Sequence, residues 1–164
     1  MTAMAGKDTV RLGLLLFPKF SLMAFSAALE PLRSANRLLG YEHYQWLILS
    51  TDGNPVVASN GIPIAAQAAF DTVDDLDLLL VCIGLDPLQV KGCPGLRGRL
   101  RQLAARGCRV GGVSGGPFLL AEAGLLDGRQ CTVHWEYADF FAARYPRARL
   151  RQDVFVVDRG TFTC

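Results

Sequence analysis

The chain is 164 residues long and 51% hydrophobic, with 17 Lys+Arg against 15 Asp+Glu. This describes one domain of ordinary size, able to bury roughly two-thirds of its unfolded surface without disulfide or metal staples. A net charge of +2 excludes a strongly basic nucleic-acid module, whose affinity rests on many clustered cations, but leaves room for a partner domain that binds DNA.

The longest apolar runs, residues 14–17 and 78–83, fall far short of the roughly 18 residues that cross a bilayer. Residues 1–9, MTAMAGKDT, lack the apolar stretch of a secretory signal. They are expected to form a disordered N-terminal segment of a cytoplasmic protein. Cys82, Cys93, Cys108, Cys131 and Cys164 are odd in number and scattered, which suits reduced thiols better than a disulfide framework.

Residues 10–17, VRLGLLLF, form a short apolar run stopped by Pro18 and predict a strand buried on both faces. Ser21 caps a predicted helix in which Leu22, Phe25, Leu29, Leu32 and Leu38 recur at helical spacing until Gly40, with Pro31 expected to kink or divide it. Residues 44–50 predict a second strand and residues 52–55, DGNP, a turn. Strand-like pieces around Val56 and Ile64 flank Asn60-Gly61, a hairpin signal, and predict an excursion from the main layer. Residues 76–83 predict the third buried strand, 96–105 an Arg-rich amphipathic helix closed by Gly107, and 108–113 a fourth strand. The glycine-punctuated stretch 92–98 reads as a loop. Strands alternating with helices over short connections predict an α/β fold, a parallel sheet covered on both faces.

Residues 112–116, Gly-Val-Ser-Gly-Gly, match G-x-S-x-G where the fourth strand turns into a helix near Pro117. Such a turn sets Ser114 at the carboxyl end of the sheet, beside N–H groups of Gly115 and Gly116 that would suit an oxyanion or a ligand carboxylate equally well. A catalytic serine needs a base. Of two histidines, His134 follows Ser114, with Glu136 and Asp139 as orienting carboxylates. That order departs from the α/β-hydrolases, although Asp127 would restore it. The glycines are also accounted for by a tight turn and close helix packing, with Ser114 as a helix cap.

His134 fits either a hydrogen-bonded position at a helix start or a pocket, and His43, in YEHY, reads as exposed. Glu30 lies among Ala27, Ala28, Leu29 and Leu32. It either points inward or is a solvated helix residue. Cys131 and His134 form one C-x-x-H pair without a second, so no metal is implied. No dinucleotide or P-loop fingerprint occurs, and no cofactor is expected.

Residues 17–38 (FPKFSLMAFSAALEPLRSANRL), 111–128 (GGVSGGPFLLAEAGLLDG) and 131–141 (CTVHWEYADFF) together resemble the class I glutamine amidotransferase-like superfamily. More closely, they resemble the PfpI-type amino-terminal domain of AraC-family transcriptional regulators, in the branch associated with arginine, carnitine and glycine betaine metabolism. The resemblance implies a flavodoxin-like three-layer sandwich over residues 10–164, with a site at the strand ends. In enzymatic relatives a cysteine occupies the elbow, a glutamate from the first helix approaches it and a histidine often follows. Those positions match Ser114, Glu30 and His134, and the glycine after the third strand matches Gly84. With a hydroxyl in place of the thiol, glutamate-assisted cysteine chemistry is expected to be absent.

The resemblance thus implies a metabolite-sensing, homodimeric domain whose ligand-binding residues are Glu30, Gly84, Ser114, Gly115, Gly116, His134 and Trp135. The inducer would be arginine, carnitine, betaine or a similar amine or carboxylate. Trp135 and Tyr137, with Phe17 and Phe20, would offer aromatic faces to a quaternary ammonium group, or else belong to the core. Such regulators bind DNA through a carboxyl-terminal helix-turn-helix domain, and the chain stops in VFVVDRGTFTC, strand, turn and strand. A truncated piece without its DNA-binding part is expected. The alternatives are a PfpI-type or serine hydrolase using Ser114, His134 and Glu30, and a domain kept only for dimerisation.

Overall fold

The computed structural model describes residues 9–89 and 95–164. The expected disordered segment, Thr9 apart, lies outside the described residues, as do Cys93 and the first part of the loop at 92–98. In chain order the elements are β1 (Val10–Leu16), α1 (Leu22–Leu39), β2 (Tyr44–Ser50), β3 (Val56–Val57), β4 (Pro63–Ile64) and β5 (Ala68–Ala69). They continue with β6 (Leu78–Ile83), α2 (Leu96–Ala105), β7 (Arg109–Ser114), α3 (Gly116–Glu122), β8 (Gln130–Cys131), α4 (Ala138–Arg144), β9 (Arg149–Leu150), β10 (Val156–Asp158) and β11 (Thr161–Thr163).

A seven-stranded sheet runs β10-β11-β7-β6-β1-β2-β5, parallel throughout except for the β10–β11 hairpin at one edge. Its main strands follow the flavodoxin-like order 2-1-3-4-5, and the α/β reading of the sequence holds. Alternate residues feed two separate cores, because successive side chains of a strand point to opposite faces. Leu15, Leu79 and Val81 meet Leu100 and Leu103 of α2 and Phe118 of α3 on one face. Leu14, Leu16 and Cys82 meet Phe25 of α1 on the other.

Ser21 caps α1 as expected, its Oγ accepting from Ala24 N–H at 3.2 Å, and Gly40 ends it in the left-handed region at φ 74°. Pro31 does not divide the helix, which runs unbroken over 18 residues. Proline removes one hydrogen bond to the carbonyl four residues back. Here that carbonyl belongs to Ala27, an exposed residue, so water can take its place. The β3–β4 hairpin forms a small antiparallel sheet outside the main layer, as its Asn-Gly turn predicts. Three elements have no counterpart in the sequence reading: the edge strand β5 and the parallel β8–β9 ladder. His43 is half-buried rather than exposed, its ring 4.6 Å from that of Tyr44.

Two glycines set how closely the layers approach. A Cβ on Gly84 would lie 2.0 Å from the Lys19 carbonyl oxygen, and one on Gly116 would lie 2.1 Å from that of Val81. Both obstacles are backbone, which cannot swing aside. Gly116→Ala should therefore cost about 2–4 kcal/mol and lower the thermal unfolding midpoint by about 5–15 °C. Gly98→Ala, on the exposed face of α2 with open space where the Cβ would stand, should be neutral or stabilise by about 0.5–1 kcal/mol. Calorimetric melting of the two variants checks both.

Candidate functional site

The strand order reverses between β1 and β6, so the helices that follow these strands leave on opposite faces and a crevice opens at their carboxyl ends. A cleft of about 600 Å³ lies there. It receives Lys19 and Ser21 from the turn after β1, Gly84 and Leu85 from the end of β6, Ser114 from β7, His134 and Tyr137 from the segment before α4, and Cys164 after β11. Ala24, Ala27 and Ala28 of α1 and Ser59 of the β3–β4 hairpin complete its walls.

Ser114 has φ 58°, while Gly115 has φ −82°. The strained residue of the elbow is thus the serine itself, which costs about 1–2 kcal/mol for a side chain in the left-handed region. Backbone bonds hold it there. Ser114 N–H donates to the Cys164 carbonyl at 2.6 Å, and Ser114 C=O accepts from His134 N–H at 3.4 Å. Gly115, not Ser114, is the N-cap of α3, and no side chain caps that helix.

Hydrolysis through such an elbow needs the N–H of the residue after the nucleophile free to meet an oxyanion. Gly115 N–H instead donates to the Ile83 carbonyl at 2.8 Å. Gly115 and Gly116 are both buried and lie outside the cleft lining, so the expected anion-holding role fails for the Gly115 N–H, which Ile83 occupies. Among the described residues no hydrogen bond joins the Ser114 hydroxyl to His134, whose Nδ1 accepts from Glu136 N–H at 3.4 Å. Asp127 is engaged by Arg147 at 2.9 Å, and Asp139 is exposed.

Of the expected ligand-binding residues, Gly84, Ser114 and His134 line the cleft. Glu30 does not. Its side chain is 56% exposed and accepts from Arg33 at 2.6 Å, one turn along the helix. The cleft is lined by α1 only as far as Ala28, and Glu30, two residues beyond, turns to Arg33 instead. Trp135 is 81% exposed, its ring 5.5 Å from that of His134 but outside the cleft lining. Phe17 and Phe20 are core residues on opposite faces of the sheet. Tyr137 alone of these aromatics faces the cleft. The sequence reading missed Lys19, Met23, Leu85 and Val154 at the cleft, and Ser59 on its hairpin wall. Lys19 and Leu85 have no residue pattern of their own, and their one signal is their place just after buried strands, where open α/β sheets bind ligands.

A flavodoxin-like sheet with a strained residue at the end of its fourth main strand and a cleft above it defines the class. The sequence matches the DJ-1/PfpI family over residues 10–164, and the chain belongs to that family. It is 45% identical over 149 residues to the HTH-type transcriptional regulator CdhR of Pseudomonas aeruginosa, a match covering 91% of this chain and 44% of that protein. It is 40% identical over 152 residues to GbdR, another HTH-type transcriptional regulator of the same species, covering 93% of this chain and 41% of that one. The chain thus spans less than half the length of these curated relatives. Among solved structures, an AraC family transcriptional regulator from Pseudomonas putida superposes with a TM-score of 0.84 at 32% identity, covering 94% of this chain and 83% of that one. No described helix is long and apolar enough to cross a membrane.

The thiols near the sheet are poor nucleophiles, because burial disfavours the thiolate. It pushes Cys82 up to about 12 and Cys108 and Cys131 up to about 11, from an ordinary 9.0. The native chain thus keeps thiol protons that the unfolded chain releases, and the contribution of these thiols to stability is full below pH 9.0 and is lost as pH rises toward 11. Disulfide-exchange labelling of the native protein at pH 8 should leave Cys82, Cys108 and Cys131 unmodified, with denaturant exposing all three.

Proposed function

We propose that this chain is the metabolite-sensing domain of an AraC-type transcriptional regulator, working as a homodimer whose DNA contacts are made elsewhere in the regulator. The supporting observation is its 45% identity to CdhR across 91% of its own length. The names of the relatives connect the chain to transcriptional control, and the cleft supplies what a sensor needs: a concave, largely apolar site with a few polar groups. Ser114 stands at the elbow, where among the described residues no base is bonded to its hydroxyl and the N–H of Gly115 is taken by Ile83. Binding without turnover is the reading this favours over a hydrolase.

The inducer is a small amine carboxylate such as arginine, carnitine or glycine betaine. Calorimetric titration with these three should give saturable, one-site binding for at least one of them. Ala27→Trp, which fills the cleft from an exposed helix position, should abolish it without lowering the melting temperature. Ser114→Ala should change affinity by less than about tenfold. Ester or amide turnover that disappears in Ser114→Ala would instead establish an enzyme.

A further inference from the structure

Besides Ser114, left-handed backbone is held by Lys19 in the cleft lining and by Asp86, next in the chain to the lining residue Leu85. Lys19 has φ 63° and Asp86 has φ 58°. Lysine is not among the residues that visit this region readily, and such outliers cluster where a ligand is clamped. The Lys19 backbone is fixed from both sides. Its N–H donates to the Val57 carbonyl at 2.9 Å and its carbonyl accepts from Leu85 N–H at 3.2 Å, with Gly84 pressed against it. The side chain is thereby set at the cleft, where its Nζ stands 3.5 Å from Asp86 Oδ2. Lys19 is 64% exposed and Asp86 52%. A long, open pair of this kind contributes little on its own. Tyr137 lies beside Asp86, whose backbone bonds its hydroxyl, and Glu136, Met23 and the α1 alanines also line the cleft.

We infer that Lys19 reads the carboxylate of the sensed ligand, which takes the place of Asp86 at the ammonium group, while the body of the ligand lies against Met23 and the α1 alanines, with Glu136 in the same cleft for a cationic group. This rests on the sensing role proposed above and names the residue that sets its ligand class: a small zwitterion with a free carboxylate. Asp86 is then a built-in competitor. It neutralises Lys19 in the empty cleft and raises the concentration of ligand needed to fill it.

The test pairs ligands that differ only in the carboxylate function. Glycine betaine is compared with choline, and arginine with agmatine, by calorimetry on the wild-type protein. The carboxylate member of a pair should bind at least about tenfold tighter. Lys19→Asn, chosen because asparagine tolerates a left-handed backbone, should remove that preference. Lys19→Arg should restore part of it, and Asp86→Asn should tighten carboxylate binding severalfold. Thermal melting of each variant checks the fold.

Failure of the sensing role and failure of this inference are separated by a second probe. Butyrate and butylammonium are titrated while backbone amide shifts are followed by NMR. Saturable shifts at Leu85, Asp86 and Ser59 with butyrate only, lost in Lys19→Asn, support the carboxylate site even if none of the amine carboxylates binds. Equal responses to butyrate and butylammonium, no response to butyrate, or an unchanged response in Lys19→Asn would overturn it.

Discussion

The crevice depends on main chain meeting main chain with nothing between. Gly84 presses on the Lys19 carbonyl and Gly116 on that of Val81, at distances no Cβ could share. The first contact draws the ends of β1 and β6 together, and with them the turn that carries Lys19 and Ser21. The second seats α3 directly on β6, so that β7 must turn sharply and place Ser114 at the lip. A methyl group at either glycine would part backbone segments packed at near-crystalline density, where neighbours have little room to yield. The cleft is therefore a consequence of how the sheet's carboxyl edge is packed.

That separation between shape and chemistry explains how the elbow can persist with a different side chain. The left-handed backbone of Ser114 is imposed by its bonds to Cys164 and His134 and by the adjoining bond of Gly115 to Ile83. None of these bonds involves the side chain. A thiol in that place could ionise near neutral pH, and a nearby carboxylic acid would bear on its pKa. A hydroxyl has no such route and needs a base in hydrogen-bond reach with a donor for the oxyanion. Glu30, the carboxylate assigned to that role from sequence, faces water beside Arg33, while the α1 residues that do face the cleft are Met23 and small alanines. The strained backbone is thus held whichever side chain the elbow carries.

The long elements were legible because their physics is local. Residues 10–17 and 76–83 are apolar without alternation, which only a strand covered on both faces requires, and Ser21 with Gly40 bracket α1 as cap and stop. The two-residue strands β5, β8 and β9 were not, since two residues carry no period and their pairing is decided by distant partners such as Ile48 and Arg129. At the site, the motif around Ser114 announced a sharp turn. It could not tell that Gly115 N–H would be consumed by Ile83, a residue 32 positions earlier in the chain. Phe17 and Phe20 looked like neighbours at the end of one strand, yet they enter opposite cores because the chain turns between them. Glu30 has apolar neighbours in sequence, yet its side chain faces water and pairs with Arg33 one turn along α1.

Lys19 escaped notice for the complementary reason: a single lysine between Pro18 and Phe20 has no pattern around it, and its importance comes from what hangs on its backbone. Its N–H holds Val57 of the β3–β4 hairpin, and the next residue's carbonyl holds Ser59 N–H at 2.9 Å. The hairpin is thus suspended from the floor of the cleft and contributes Ser59 to its wall. Val57 and Ile62, each 49% exposed, stand on its outer side. A guest that contacts Lys19 and Ser59 together bridges the main sheet and this small separate sheet. Ligands shift a conformational balance only through contacts that differ between its states, and the hairpin is one element whose attachment runs through residues that line the cleft.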